Sequence, residues 1–139
     1  MARSDKYTSL TNKPSYYSDF SNNLDVNPAT GFLAKITNEN AVKNSIKNII
    51  LTINGERFFQ STIGSKINAL LFEPMDSPTA IALENTISEA IKNNEPRANL
   101  KSVELYPDQD RNAYLVTIIF SIINIPEDIT FNFFLNRVR

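Results

Sequence analysis

The hydrophobic period of this chain changes once along its length, and that change limits the folds open to it. Between residues 37 and 95 the apolar side chains recur at helical spacing. From Leu100 onward they follow a period of two or form a continuous β-branched run, with short turn sequences in between. Helices followed by consecutive strands with short connections predict the α+β class, with an antiparallel meander at the C-terminal end.

The first of about three predicted helices begins at Thr37 or Asn38, because either side chain can cap the free amides of a first turn. It ends at Asn54-Gly55, a pair typical of helix termination. The apolar side chains of this helix fall at i, i+4, i+7 and i+8, which is one helical face. They are Val42, Ile46, Ile49 and Ile50.

Capping residues and a proline in the first turn predict the second and third helices. Ser65–Phe72 forms the second, with Ser65 as its cap. Ser77-Pro78 begins the third, with Ser77 as cap and proline in the first turn, where its missing amide costs nothing. This helix must stop before Pro96, because proline disfavours helical geometry at the residue before it.

Three strands are predicted after the helices. Leu100–Tyr106 forms the first, and Ala113–Ile123, apolar on both faces, forms the central strand. Pro126-Glu127-Asp128 is interpreted as the turn that follows. Alternation over Ile129–Leu135 predicts a half-buried third strand. We expect the helices to cover the apolar face of this sheet.

Residues 1–35 differ from the rest of the chain, because they are polar, contain little periodicity and carry widely spaced aromatic side chains. We predict an extended N-terminal arm over 1–35 whose rings dock on a surface, followed by a single α+β domain over 36–139. The alternative is a disordered tail with incidental aromatics. The aromatic residues of the arm are Tyr7, Tyr16, Tyr17, Phe20 and Phe32.

Composition excludes several functional classes. The chain has no Cys and no His, so thiol and imidazole catalysis and thiolate or histidine metal sites are absent from it. Three glycines are too few for a dinucleotide-binding or phosphate-binding loop. A net charge of −1 gives no electrostatic attraction to nucleic acid, and no apolar run approaches the ~20 residues of a membrane helix. We therefore predict no cofactor, no metal, no nucleic-acid partner and no membrane partner.

Three short charged motifs are candidates for contacts with other proteins. In Glu95-Pro96-Arg97 the proline fixes the backbone between a carboxylate and a guanidinium, a pair suited to bidentate recognition. The second motif contains Glu56 and Arg57, and the third contains Glu73. The alternative for each is an ordinary surface charge at the end of a helix, where ion pairs contribute little.

Two of these carboxylates also allow an enzymatic hypothesis. A glycosidase needs one acid and one base or nucleophile, and Glu73 and Glu95 are available. Nothing in the surrounding sequence predicts a raised pKa for either, and Trp is absent from the chain. We predict no catalytic residue and no enzyme; the alternative is a carboxylate-dependent peptidoglycan hydrolase.

Taken in order, five segments resemble one family. They begin with Asn27-Pro28-Ala29-Thr30-Gly31 and Asn40–Thr52, continue with Gly55-Glu56-Arg57 and Gly64–Pro74, and end in Glu95-Pro96-Arg97. This order is similar to that of the baseplate wedge subunits of contractile phage tails, a family that includes a baseplate subunit of type VI secretion systems. The family has carried a lysozyme-like label, but these residues give no physical reason to extend that label to this chain.

The resemblance implies a structural virion protein, assembled in the host bacterial cytoplasm and located in the tail baseplate. It implies that Glu95, Pro96 and Arg97 contact the helical core of the larger wedge subunits. It also implies that the sheet templates the first sheath ring by strand exchange. The expected partners are other baseplate wedge subunits, the tail sheath protein and, as a further candidate, the tail tube.

The sequence supports the strand-exchange expectation independently. A last strand running to Val138 leaves no later segment to cover its edge, and an unpaired edge accepts strands from a partner. On the sequence alone, Arg97→Ala is expected to leave the fold intact and to abolish incorporation into wedges.

Overall fold

The computed structural model describes residues 15–137, which contain three helices and five strands. The helices are α1 (Glu39–Leu51), α2 (Ile67–Leu70) and α3 (Ser77–Asn94). The strands are β1 (Ser18–Phe20), β2 (Lys35–Thr37), β3 (Ala98–Asp108), β4 (Ala113–Ile122) and β5 (Ile125–Asn136). The predicted α+β class, with about three helices before a C-terminal three-stranded antiparallel sheet, is confirmed.

The main sheet has the order β3-β4-β5, and both pairings are antiparallel. Its central strand, β4, alternates between fully buried and partly buried residues, because one face packs on the helices and the other is partly open. The register brings Leu105, Val116 and Phe133 side by side on the helix-facing side. Helices therefore cover one face of a meander, as the change of period predicted.

The helices contribute their predicted apolar faces to the same core. In α1 the buried side chains follow the helical period and include Val42, Ile46 and Ile50. In α3 the fully buried positions include Leu83, Ile87 and Ile91. These side chains pack with those of the sheet in one continuous cluster, so the fold has a single core among residues 15–137.

Asn38 is the N-cap residue of α1, as predicted, but the capping interactions of the helices differ from those predicted. The side chain of Asn38 makes no capping hydrogen bond to α1; its Oδ1 instead accepts a hydrogen bond from the Tyr16 amide at 2.9 Å. The backbone of Asn38 is left-handed (φ 50°). Asp76, not Ser77, caps α3 by accepting a hydrogen bond from the Thr79 amide at 3.0 Å. Hydrogen bonds from the Thr79 side chain and, to a smaller extent, from its amide lower the pKa of Asp76. Ser65 lies before α2, but its hydroxyl donates to the Ile50 carbonyl at 2.8 Å and fastens α1 to the next segment.

The prediction of a turn at Pro126-Glu127-Asp128 is wrong, because these residues belong to β5. The chain reverses earlier, at Ile123-Asn124, where Asn124 adopts a left-handed backbone (φ 76°). Asparagine tolerates that conformation, and Pro126 is tolerated near the start of an edge strand. The predicted end of this strand at Val138 lies outside the described residues.

The described part of the N-terminal segment is a β-hairpin. β1 pairs with β2 in antiparallel register, and Val26 bridges Leu33 nearer the tip. Of the aromatic residues in this segment, Tyr17 packs against the core of the same chain, while Phe20 and Phe32 remain exposed. Tyr7 lies outside the described residues. β2 (Lys35–Thr37) extends across residues 35 and 36, where the sequence predicts the boundary between the N-terminal arm and the α+β domain.

Candidate functional site

Pro96 places the first charged motif at the junction between α3 and β3. Glu95 forms the C-cap of α3, with its amide donating to the Ile91 carbonyl at 2.8 Å. Its carbonyl then accepts the Ala98 amide at 3.2 Å, which turns the chain into the sheet. The carboxylate and the guanidinium on either side of Pro96 are therefore held by the backbone of two regular elements.

The two charges of this motif bind each other. Arg97 Nε donates to Glu95 Oε1 and Arg97 Nη2 donates to Glu95 Oε2, both at 2.7 Å, in a bidentate fork. Only 2 % of Glu95 is exposed, whereas 34 % of the Arg97 side chain remains accessible. The guanidinium, and not the carboxylate, is the part of this motif that another protein could reach.

The pKa of Glu95 reflects this environment. Burial raises this pKa. Hydrogen bonds from Arg97 and from Ser45 of α1, together with the charge of Arg97, lower it by a larger amount, so the net shift is downward. Because the folded state holds the carboxylate ionised, its stabilising contribution is complete above the ordinary glutamate pKa of about 4.3. That contribution is lost as the pH falls through the lowered pKa.

Burial also changes the expected result of Arg97→Ala. Removing the guanidinium leaves a nearly inaccessible carboxylate without its charge partner, a change that typically costs about 3 kcal/mol or more. The expectation that this variant keeps its stability therefore does not fit the structure. A variant that keeps the positive charge is needed to separate binding from folding.

The N-terminal hairpin surrounds the other side of Arg97. The Tyr17 ring lies 5.4 Å from the guanidinium carbon, a cation–π distance. The hydrogen bonds to Glu95 are the main cause of the raised pKa of Arg97, and the charge of Asp19 adds a smaller contribution in the same direction. The Tyr17 hydroxyl donates to the Ile123 carbonyl at 3.4 Å, and the Ile123 amide donates to the Arg97 carbonyl at 3.1 Å. Hairpin, sheet and helix end thus meet at this arginine.

The two charged residues of the second motif, Glu56 and Arg57, have different structural roles. Glu56 accepts the Ile53 amide at 3.1 Å and closes the turn after α1. Arg57 lines a surface cleft of about 200 Å³ together with Asp19, Ser45 and Asn94. The structure therefore brings Arg57 to the same side of the molecule as the Glu95–Arg97 pair, although the two motifs are far apart in sequence.

Glu73 belongs to a different neighbourhood. Its carbonyl accepts Arg137 Nη2 at 2.8 Å, and Arg137 Nε donates to the Leu71 carbonyl at 3.2 Å. Arg137 thereby ties the end of β5 to the segment after α2. This contact is not predictable from the sequence, because an arginine after the last strand gives no local signal of a partner 64 residues away.

The two edges of the sheet expose different backbone groups. The Arg137 amide donates to the Asn112 carbonyl at 3.1 Å, which continues the β4–β5 register as a hydrogen-bonded pair. Bonded and non-bonded pairs alternate in antiparallel strands, so the backbone groups of every second β5 residue point away from β4. Between residues 129 and 136 these outward residues are Thr130, Asn132, Phe134 and Asn136, and Asp128, opposite Ser121, follows the same alternation.

On β3 the same alternation makes Val103, Leu105 and Pro107 the outward positions. The Leu105 amide is occupied, because it donates to the Glu84 carboxylate of α3 at 3.2 Å. Pro107 has no amide to offer. The outer edge of β3 is therefore partly closed, whereas no residue among 15–137 bonds the outward amides of β5.

The described residues give little support to metal or catalytic sites. No group of three or more Asp or Glu side chains among residues 15–137 is arranged to hold a metal ion. Glu95 has a lowered pKa and an arginine in contact, the reverse of what a general acid requires. Within the same residues, no helix is both long and apolar enough to cross a bilayer.

Comparison with known proteins identifies the family. The family model for baseplate wedge protein gp25 matches residues 37–127. Baseplate wedge protein gp25 of Enterobacteria phage T4 is 38 % identical over 89 residues, which span 64 % of this chain and 67 % of that protein. The resemblance predicted from the five motifs is thereby confirmed.

Solved structures share the fold. A protein from Geobacter sulfurreducens, provisionally labelled a tail lysozyme, has a TM-score of 0.68 and 24 % identity over 73 % of this chain and 92 % of that one. A chain of the anti-feeding prophage baseplate has a TM-score of 0.61 and 21 % identity over 88 % of this chain and 87 % of that one. The family match extends over residues 37–127, more than half of the sequence, and this chain belongs to the baseplate wedge protein gp25 family.

Proposed function

We propose that this baseplate wedge protein is a structural subunit of a contractile-tail virion with two assembly surfaces. The Glu95–Arg97 turn binds other wedge subunits, with Arg57 on the same side of the molecule. The outer edge of β5 receives a strand from the tail sheath protein and so templates the first sheath ring. The tail tube is a further candidate partner, assembly takes place in the host bacterial cytoplasm, and no covalent chemistry is involved.

The observation that carries this proposal is the row of outward backbone groups along β5. Between residues 129 and 136, four residues point their amides away from β4, and none of these amides bonds to another residue among 15–137. Each backbone hydrogen bond contributes about 0.5–1.5 kcal/mol net. A few such bonds bind weakly at one site, but repetition around a ring raises the effective concentration and makes attachment cooperative.

Asn132→Pro tests the sheath contact. Asn132 is an exposed edge residue whose amide points outward, so proline removes one donor for an incoming strand and leaves the pairing with β4 in place. We expect baseplates that contain this variant to bind sheath at least about tenfold less. Electron microscopy of tails and co-sedimentation of sheath protein measure the effect.

Asn132→Ala is the matched control, because it removes the same side chain but keeps the amide. It should bind sheath as the unaltered chain does. Normal sheath attachment to Asn132→Pro, in baseplates shown to contain the variant, would reject the templating role of β5.

Arg97 supports the wedge contact through its geometry. Two nitrogens of the guanidinium bind Glu95, and a third of the side chain remains exposed beside Tyr17 and Asp19. The fork fixes the orientation of the remaining donors, which lowers the entropy lost when they bind a carbonyl or carboxylate of a partner. A preorganised cation of this kind suits the end of a helix, where backbone carbonyls are unpaired.

Arg97→Lys tests this contact, since lysine keeps the charge near Glu95 but loses the planar fork. We expect a folded chain whose incorporation into wedges falls at least about tenfold, measured by pull-down of co-expressed wedge subunits. Arg111→Lys is the control, because Arg111 is an exposed arginine whose partners are Asp108, at 3.7 Å, and the Phe134 ring of β5, at 4.8 Å, so that it tests the loss of a guanidinium away from Glu95. Full incorporation of Arg97→Lys would contradict the assigned role.

The hydrolase hypothesis leads to a separate experiment. A lowered pKa and a bound arginine leave Glu95 without the proton that a glycosidase acid must donate. We therefore expect purified, folded protein to leave peptidoglycan intact in a zymogram. Clearing that disappears with Glu73→Gln or Glu95→Gln would overturn the structural assignment.

A further inference from the structure

We propose that the segment between α1 and α2 (residues 52–66, here the aromatic loop) is a second docking element, whose two phenylalanines insert into an apolar pocket of a neighbouring baseplate protein. This inference rests on the proposed assembly function but uses neither Arg97 nor the edge of β5. Phe58 and Phe59, at the centre of the loop, are its anchors.

The aromatic loop is built as a protrusion with a closed base. Ile53 and Ser65 form a parallel bridge, and the Ser65 amide donates to the Thr52 carbonyl at 2.8 Å. Gly64 fits this base because it has no side chain: a Cβ there would lie 2.7 Å from the Thr52 carbonyl oxygen, and its φ of +129° disfavours other residues. Glu56 adds the bond to the Ile53 amide described above. The two ends of the loop are thus held together.

The phenylalanines lie at the other end of this frame, away from the core. Phe58 is 89 % exposed and Phe59 is fully exposed. Phe59 also has a left-handed backbone (φ 38°), which is strained for a bulky aromatic residue and natural for glycine or asparagine. Two adjacent rings in water, one on a strained backbone, do nothing for the stability of residues 15–137. Large aromatic anchors of this kind are typical of interface hot spots.

The charges of the loop favour a protein pocket over a membrane surface. A loop that inserts into an anionic bilayer is normally accompanied by a cluster of basic residues. The aromatic loop carries two basic residues, Arg57 and Lys66, which do not form a cluster, and one acidic residue, Glu56, whose carboxylate accepts a hydrogen bond from the Ile53 amide. Arg57, next to the rings, is best matched by a pocket with an apolar floor and an acidic group on its rim.

The test uses tails assembled from a tail-encoding genome that lacks this gene, with the full chain supplied in trans. The double variant Phe58→Ser/Phe59→Asn removes both rings and suits the left-handed backbone at residue 59. We expect an unchanged melting temperature and at least a tenfold loss of the chain from purified baseplates. Ile81→Ser is the control, since Ile81 is an exposed apolar residue on α3, and it should be incorporated normally.

A crosslink identifies what the loop contacts. A photoreactive benzoylphenylalanine at position 59 should crosslink to another baseplate protein in assembled tails, and the same group at position 81 should not. Normal incorporation of the double variant, or no crosslink from position 59 in tails that contain the chain, overturns the proposal even if Arg97 and β5 behave as described. Binding of the purified chain to vesicles of phosphatidylcholine and phosphatidylglycerol, lost in the double variant, would overturn it in favour of a membrane.

Discussion

The two edges of the sheet differ in what they offer to another chain. β3 and β5 are both outer strands among the described residues, and both are long. The edge of β3 has a bulge between Leu100 and Ser102, an amide occupied by Glu84 and a proline at the next outward position. Between residues 129 and 136 the edge of β5 keeps four outward residues in regular succession.

Natural proteins protect exposed edges with bulges, prolines and charged side chains, because an unprotected edge pairs with other strands. On β3 these features are the bulge, Pro107 and the Glu84 carboxylate of α3. β5 has a register shift, Pro126 and two acidic residues only at its start, and its residues 129–136 contain neither proline nor a charged side chain. The two edges are therefore unequal: a strand added at β5 would meet a row of backbone donors, whereas one added at β3 would meet few. Four changes would break or sharpen this comparison.

The largest effect is expected where proline enters the paired side of β5. The Phe133 backbone faces Val116 of β4, so Phe133→Pro removes a ladder bond and forces the strands apart, at a cost of about 3 kcal/mol or more. Asn132→Pro, one residue earlier, should cost about 1 kcal/mol or less, since its amide faces outward. Urea unfolding compares the two. Equal costs would show that the outward and inward positions of β5 are wrongly assigned.

A second large effect is expected at the start of β3. Arg97→Ala leaves the buried Glu95 carboxylate unpaired and should destabilise the fold by about 3 kcal/mol. Adding Glu95→Gln should restore part of that loss, because it removes the buried charge. Thermal unfolding of the two variants checks this. A double variant as unstable as the single one would mean that packing, and not charge, holds this end of β3.

A smaller effect is expected from opening the protected edge. Glu84→Ala frees the Leu105 amide and should cost about 1 kcal/mol. It should also increase self-association, since β3 then presents a donor that is normally occupied. Sedimentation velocity measures the association. A strictly monomeric variant would indicate that the bulge and Pro107 protect β3 without help from α3.

The smallest effect is expected for the ion pair that connects the two outer strands. Lys101 of β3 reaches Asp128 of β5 at 2.5 Å on the exposed face of the sheet. Both side chains are about half exposed, so Lys101→Ala should change stability by less than about 0.5 kcal/mol, with a difference that disappears at high salt. A cost above 1 kcal/mol would show that this pair helps to set the register of the sheet.

The fold was largely predictable because its signals are local. Helical spacing in α1 and α3 and the apolar run of β4 led to the correct class and to the right order of elements. The errors occurred where a signal depended on distant residues. Asn38 is a residue type that often caps helices, but its side chain binds the backbone of Tyr16. Pro126 is a residue type common in turns, but it lies in an edge strand.

The candidate site was predictable as a set of charges and not as an arrangement. The sequence indicated Glu95 and Arg97, but not that one would be buried and the other accessible. The hairpin residues Tyr17 and Asp19 and the α1 residue Ser45 complete that neighbourhood through the tertiary fold alone. Arg137 was missed for the same reason.

Arg137 gives the sheet a mechanical property. A strand added along β5 would pull on it in shear, the direction in which several backbone bonds resist together. At its far end the guanidinium of Arg137 holds the carbonyls of Leu71 and Glu73, so tension would pass into the helical layer as well as into β4. A contracting sheath anchored here would therefore load the whole domain and not one strand.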